Sequence, residues 1–359
     1  MMTTSFKTIK LLLSLLFAAN AAIAQEWISK TTEKSFPLSR LHELQLDNRY
    51  GDITVTGWDK KEVSVKISIQ VTTGENKISK EVLQRIDPVF KSDENIVSVI
   101  SRISKSELSW FKSIFKSGDR DNSQIQIDYM VYAAREAKLK IINRFGNVVL
   151  NQWEGPLNSF VEHGDIQIND NLAKADISIE FGKLEAKEIQ LANLNLKNAA
   201  LIMDGSNALK ISSRGTNMKI GTVNTLDMDS NKDIIELKEV STIFGYSKFG
   251  SLKIKSLTHS LNLGMKIVDL TVQKISGEGT QLLIEQESSK IFLGITDFSH
   301  RFSATLEQGV VRIPKAFENV HSNIMNKAKK LREIEGTYGI TKSGKIDIIG
   351  SKGIITLKE

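Results

Sequence analysis

The sequence predicts an all-β chain, a β-helix (solenoid) of short strands with a mixed N-terminal cap segment containing one helix. Three observations lead there. A phrase is stated twice, as "NRYGDITVTGW" from Asn48 to Trp58 and as "NRFGNVVLNQW" from Asn143 to Trp153. Gly146, Gly164 and Gly182 lie 18 residues apart, each after an aromatic residue or His. After residue 138, short alternating strands are broken by Gly, Asn and Asp, without helical periodicity. A catalytic site needs no second copy of a phrase; a fold built by repetition does.

The first 24 residues are set apart. Lys7 and Lys10 precede the apolar run "IKLLLSLLFAA", and small residues follow at "AAIA", Ala21 to Ala24. This is the layout of a secretory signal peptide cleaved after Ala24. The run is shorter than the roughly 20 residues that a spanning helix needs. Export to the periplasm or cell surface is therefore expected, with no transmembrane span. The 359 residues include no Cys, which rules out a lipid-bearing Cys and any disulfide within them. Packing and backbone pairing must hold the fold. The formal charge of +6 is spread along the chain. No compact Lys/Arg cluster with interleaved aromatics stands out, so no nucleic-acid partner is expected.

Residues 25–137 read as the cap segment. From Leu44 to Val71 two alternating strands flank a polar turn at Gly57-Trp58-Asp59-Lys60. Ile78, Val82, Leu83 and Ile86 then recur at helical spacing until Pro88 ends the pattern, giving one helix of about three turns. "NIVSVISRIS" and "QIQIDYMVYAA" return to period two. Between them, "SWFKSIFKSG" carries Trp110, Phe111 and Phe115 near helical spacing, with Lys112 and Lys116 beside them. That stretch either packs as part of the cap or presents a surface contact.

Residues 138–359 read as the solenoid. The expected repeat of about 18–22 residues suits one coil, whose apolar residues point into a shared narrow core. Gly would take the φ > 0 corners, and Asn or Asp would hydrogen-bond their own backbone there. The stretch from Phe302 to Ile334 reads as strand and then polar connection, and "GTYGITKSGKIDIIGSKGIITLKE" supplies closing strands. Terminal coils are the weak points of such a stack and need caps.

"NRYGDITVTGWDKKEVSVKI" resembles the opening of the bacterial putative-adhesin β-solenoid domains of unknown function, through Asn48, Gly51, Ile53, Val55, Gly57, Trp58, Asp59, Val63 and Val65. The second copy, with Asn143 and Gly146, is similar, and the resemblance extends over about residues 40–300. It implies a repetitive β architecture and an adhesin-like role. It implies no ligand and no catalytic residue. The many Lys and Glu, the insertion near Trp110 and the irregular period after Gly182 depart from the glycine-rich members.

Little else points to chemistry. His42, His163, His259, His300 and His321 form no close ligand spacing, so no metal site is expected. His163 occupies the slot of Tyr50, Phe145 and Phe181, where a corner residue stacked in a ladder is the plainest reading. Asp52, Asp165 and Asp170 flank strand phrases as turn residues. Asp227, Asp229 and Asp233 cluster in "LDMDSNKD" without the Gly-rich calcium repeat. "GYSKFGS", Gly245 to Ser251, lacks the spacing of a phosphate loop and suggests Tyr246 and Phe249 packed between coils.

The residues therefore point to a non-enzymatic binding or scaffold module of the envelope without a cofactor. Its partner would be an envelope glycan or protein. The alternatives are a carbohydrate-active β-helix enzyme and a structural protein that forms homo-oligomers through an end coil. The structural repeat positions are Asn48, Gly51, Gly57, Trp58, Asn143, Gly146, Gly164 and Gly182.

Overall fold

The computed structural model describes residues 27–38, 42–73, 76–101 and 124–359. The expected signal peptide (1–24) and Trp110, Phe111 and Phe115 lie outside the described residues. The chain divides into two compact units. The described part of the smaller comprises residues 27–31, 68–73, 76–87 and 124–126. The larger holds residues 32–38, 42–67, 88–101 and 127–359.

Up to residue 134 the strands are β1 (Ile28–Pro37), β2 (Glu43–Arg49), β3 (Ile53–Trp58), β4 (Glu62–Thr72), β5 (Val89–Ser92), β6 (Ile96–Ile100) and β7 (Gln124–Ala134). The helix α1 spans Asn76–Arg85. In the smaller unit, α1 buries Ser79, Val82 and Leu83. The hydroxyls of Thr73 and Ser79 meet at 3.0 Å, and Lys30 pairs with Asp87 at 3.0 Å on the surface.

The larger unit is the β-solenoid. Its next strands are β8 (Lys138–Arg144), β9 (Val148–Asn151), β10 (Leu157–Glu162), β11 (Ile166–Ile168) and β12 (Leu172–Glu180). Five long strands follow: β13 (Lys183–Lys197), β14 (Ala200–Arg214), β15 (Asn217–Asn231), β16 (Ile234–Lys248) and β17 (Ser251–Lys266). Then come β18 (Asp269–Ile275), β19 (Gln281–Glu287), β20 (Lys290–Gly294), β21 (His300–Glu307) and β22 (Val310–Arg312). The last are β23 (Glu318–Asn326), β24 (Leu331–Tyr338), β25 (Gly344–Ser351) and β26 (Ile354–Lys358).

Two parallel ladders run through this unit. The first joins β6, β2, β8, β10 and β12, and continues through the second halves of β13–β17 to β19. The second joins β7, β3, β9 and β11, and continues through the first halves of β13–β17 to β18 and β20. Parallel stacking thus takes in Glu43–Trp58, because β2 pairs with β8 and β3 with β9.

Alternation explains the core. In the first ladder Leu44, Leu139, Leu157, Ala175, Ala192, Leu209 and Leu226 pair in sequence, and all are buried. Ile53, Val148, Ile166, Leu184 and Leu201 do the same in the second. Each such Leu or Ile removed from water contributes roughly 1.5–3 kcal/mol, and the column is continuous because neighbouring coils share it.

The coil is shorter than the expected upper range. Leu139, Leu157 and Ala175 step by 18 residues, whereas Ala175, Ala192, Leu209 and Leu226 step by 17. The change comes where β13 begins. Before it, Asn169-Asp170-Asn171 turn the second corner; after it, one strand of 15 or 16 residues bends through that corner. Gly, Asn and Asp punctuation therefore marks only one of the two corners in this region.

The far end has a different order in space. β25 lies between β19 and β21, and β26 lies between β20 and β22. On its other side β21 takes β24 as an antiparallel partner, and β24 in turn takes β23. All of β23 is exposed, and its pairing carries two register shifts. Such bulges blunt an edge against further strand pairing.

Candidate functional site

The repeated phrase builds a corner. Tyr50, Phe145, His163 and Phe181 adopt left-handed backbone at φ 67°, 59°, 55° and 57°. Each N–H donates at 2.9–3.1 Å to the carbonyl of the residue preceding the next corner: Arg144, Glu162, Glu180 and Lys197. The column continues through Asn198, Gly215, Lys232, Phe249 and Ile267. A non-Gly residue in this region costs about 1–2 kcal/mol, and the bond to the next coil offsets part of it.

The glycines after these corners have another task. Gly51, Gly146, Gly164 and Gly182 do not have positive φ, which corrects the expectation from sequence. A β-carbon on Gly146 would stand 1.9 Å from the carbonyl oxygen of Gly51; one on Gly164, 1.9 Å from that of Gly146; one on Gly182, 1.9 Å from that of Gly164. The coils touch backbone to backbone there, and only Gly leaves room. Gly57 answers the same need against the Gln152 carbonyl, 2.0 Å from a β-carbon.

Asn48 and Asn143 are buried beneath this corner. The Asn48 amide donates to the carbonyls of Gly51 and Ile127 at 3.2 and 2.7 Å, and the Asn143 amide to Gly51 at 3.0 Å. Ser101 donates to the Asn48 side-chain oxygen at 2.5 Å. The phrase recurs because each copy must satisfy the same buried backbone groups. The two Trp residues differ. Trp58 is half-buried, donates to the Glu62 carbonyl at 2.9 Å and stacks on Tyr132, whereas Trp153 is wholly buried.

Outside the corner, Tyr50, Phe145, His163 and Phe181 stack ring on ring, with centroids 5.4, 5.0 and 4.9 Å apart. Their faces cover one another, so mainly edges are left to solvent. The stack ties coils together and offers little aromatic face to a ligand.

The outer face of the first ladder is different. Phe244, Asn262, Leu283 and Asp347 share one outward column; Tyr246, Gly264, Glu285 and Ile349 share the next. Tyr246 is 62% exposed and Ile349 51%. The Tyr246 ring lies over Gly264, where a β-carbon would meet Cδ1 and Cε1 at 2.5 Å. This corrects the reading of Tyr246 as a residue packed between coils: one face of the ring rests on Gly264, and the ring is largely open to solvent. An open groove of about 510 Å³ runs beside it, lined by Gly264, Glu285, Ile349 and Gly350. Phe244 and Leu283 are also exposed, giving an apolar patch with a polar border.

The Asp-rich run divides across this wall. Asp227 and Asp229 point outward beside Phe244 and Tyr246, and Asp227 pairs with Lys210 at 3.1 Å. Asp233 points inward and is buried. Its carboxylate accepts from the Ser213 and Ser230 hydroxyls at 2.7 and 2.8 Å, and from the Thr216 and Asn231 N–H groups at 2.7 and 3.0 Å. Asp233 is a structural anion held by a full set of donors.

His300 is buried, and its Nδ1 lies 2.7 Å from the Phe298 carbonyl. Burial pushes its pKa below the usual histidine value, while the hydrogen bond to Phe298 opposes the shift. Among the described residues, no group of three or more His, Cys, Asp or Glu stands in metal-holding geometry, and no helix is long and apolar enough to cross a membrane.

No protein-family model matches the chain, and no curated protein matches it. Solved structures do show likeness. A putative adhesin from Parabacteroides merdae is 11% identical with a TM-score of 0.34, the match covering 92% of this chain and 97% of that one. A putative lipid binding protein from Parabacteroides distasonis is 10% identical with a TM-score of 0.30 over the same shares. A putative adhesin from Bacteroides fragilis is 10% identical with a TM-score of 0.28, again over 92% and 97%.

Proposed function

We propose that this protein is a non-catalytic binding module of the bacterial cell envelope, adhesin-like or scaffold in role. It is exported through the leader at residues 1–24 and holds a glycan or protein ligand on the outer face of the first ladder. The observation that carries this reading is the Tyr246 ring laid across Gly264 beside an open groove. An aromatic ring held flat on a rigid sheet presents a large apolar surface at little conformational cost. Phe244, Leu283 and Ile349 widen the patch, and Asp229, Asn262 and Glu285 supply polar contacts at its border.

Asp227 and Asp229 beside an aromatic pair give the carbohydrate-active enzyme a specific footing. A glycosidase needs two carboxyl groups flanking the scissile bond. These two sit side by side on one strand and leave the same sheet face, which suits binding better than cleavage.

The test is a glycan array with residues 25–359, run alongside binding to isolated envelope material, with Tyr246→Ala as comparison. Saturable binding without turnover, weakened by Tyr246→Ala, supports the reading. Product formation overturns it in favour of the enzyme.

A further inference from the structure

We propose a second binding site on the outer face of the second ladder, a groove around Gly221 that takes an acidic oligosaccharide. The groove has a volume of about 400 Å³, within the usual range for small-ligand sites. Lys219, Lys238, Lys253 and Lys255 line it, with Asp204 and Glu236 as the acids among them. Lys219, Glu236 and Lys253 are direct neighbours on successive coils, while Lys238 and Lys255 follow the paired residues Leu237 and Ile254. Among the described residues, none of the four lysines has an ion-pair or hydrogen-bond partner.

The floor is fixed by the backbone. A β-carbon on Gly221 would stand 1.9 Å from the Asp204 carbonyl oxygen, so no side chain fills the middle of the groove. Cations gathered around such a recess focus positive potential into it. Ile202 is exposed at one end, and the lysine stems add further apolar surface. A sugar acid has both complements, an anionic group and an apolar C–H face.

Other polyanions fit less well. A bilayer surface is met by elements that lie in or project into it, and this site is recessed. Single-stranded nucleic acid is held by stacking on aromatic side chains, and the groove has none. An acidic peptide docking as a strand needs a free sheet edge, and β15 and β16 are paired on both sides here.

The test is titration of the purified protein with fluorescent oligogalacturonate, sulfated dextran oligomer, neutral dextran oligomer and polyglutamate. We expect the two acidic sugars to bind at least about tenfold tighter than the other two. Lys219→Glu/Lys238→Glu/Lys253→Glu/Lys255→Glu should lose about tenfold or more, while the charge-matched Lys138→Glu/Lys140→Glu/Lys315→Glu/Lys329→Glu stays within about twofold. If circular dichroism shows the fourfold groove variant misfolded, Lys238→Gln/Lys255→Gln is read instead, with about a threefold loss expected. Equal losses in groove and control variants overturn the proposal, as does polyglutamate binding as tight as sugar acid, or no binding at all. Tyr246→Ala should leave this titration unchanged, so failure here is separable from failure at the Tyr246 face.

Discussion

Tyr246 and Gly264, 18 residues apart in the chain, are direct neighbours on adjacent coils, and the ring of one occupies the space a side chain on the other would fill. Gly264→Val should therefore act as a ligand-face substitution without touching a ligand. It lifts the ring, and binding of whatever the array identifies should fall by roughly tenfold, about 1.4 kcal/mol. Tyr246→Ala should give a loss of the same order by titration.

Two glycines separate the two reasons for having one. Gly164 has ordinary φ but no room, whereas Gly279 has φ of 75° and nothing within 4 Å. Gly164→Ala should destabilise by about 1–3 kcal/mol through overpacking. Gly279→Ala should cost about 1 kcal/mol through backbone strain alone. Urea denaturation of the two variants checks the order.

Asp233 should be among the most sensitive positions in the wall. Asp233→Ala removes an acceptor from four donors and leaves two buried hydroxyls and two N–H groups without it. A loss of about 3 kcal/mol or more is expected in chemical denaturation. Asp233→Asn should lose less, because its remaining carbonyl oxygen still accepts.

His300 should make the fold acid-sensitive in a defined window. Its folded pKa lies below the unfolded value near 6.5, so the unfolded chain binds the extra proton first as pH falls. The stability is present above about pH 6.5 and is lost as pH drops from there toward the folded pKa. Thermal melts from pH 7 to 5 should show this slope, and His300→Phe should reduce it. The slope should persist in His163→Phe, since His163 stands exposed in the ring stack.

The alternation of Leu44, Leu46, Ile53 and Val55, and again of Leu139, Ile141, Val148 and Leu150, made strands and inward faces legible, because period two is a local property. The 18-residue glycine spacing gave the coil. What the glycines do was not legible: Gly146 is needed because the Gly51 carbonyl arrives from a coil 95 residues earlier. The left-handed corner falls one residue before, on Phe145, where sequence preference would not put it. The ligand face was hidden for the same reason. Tyr246 stood in a noted phrase, but its partners Gly264, Leu283 and Ile349 come from three other strands, and no local pattern ties them to it. Nor does any local pattern separate Asp233 from Asp229, which differ only in the side of the wall they face.

The placement of β25 and β26 sets a rule for how this protein can be made. A stack that grows rung upon rung is protected as synthesis proceeds, since each new coil covers the last. Here residues 344–358 fill a slot between rungs formed from residues 281–294 and 300–312. Until they emerge, β19 and β21 are left without the partner that each has in the finished wall. Shortening the chain from that side would therefore open a gap inside the stack instead of trimming its end, and a nascent chain must cross the membrane with that gap unfilled.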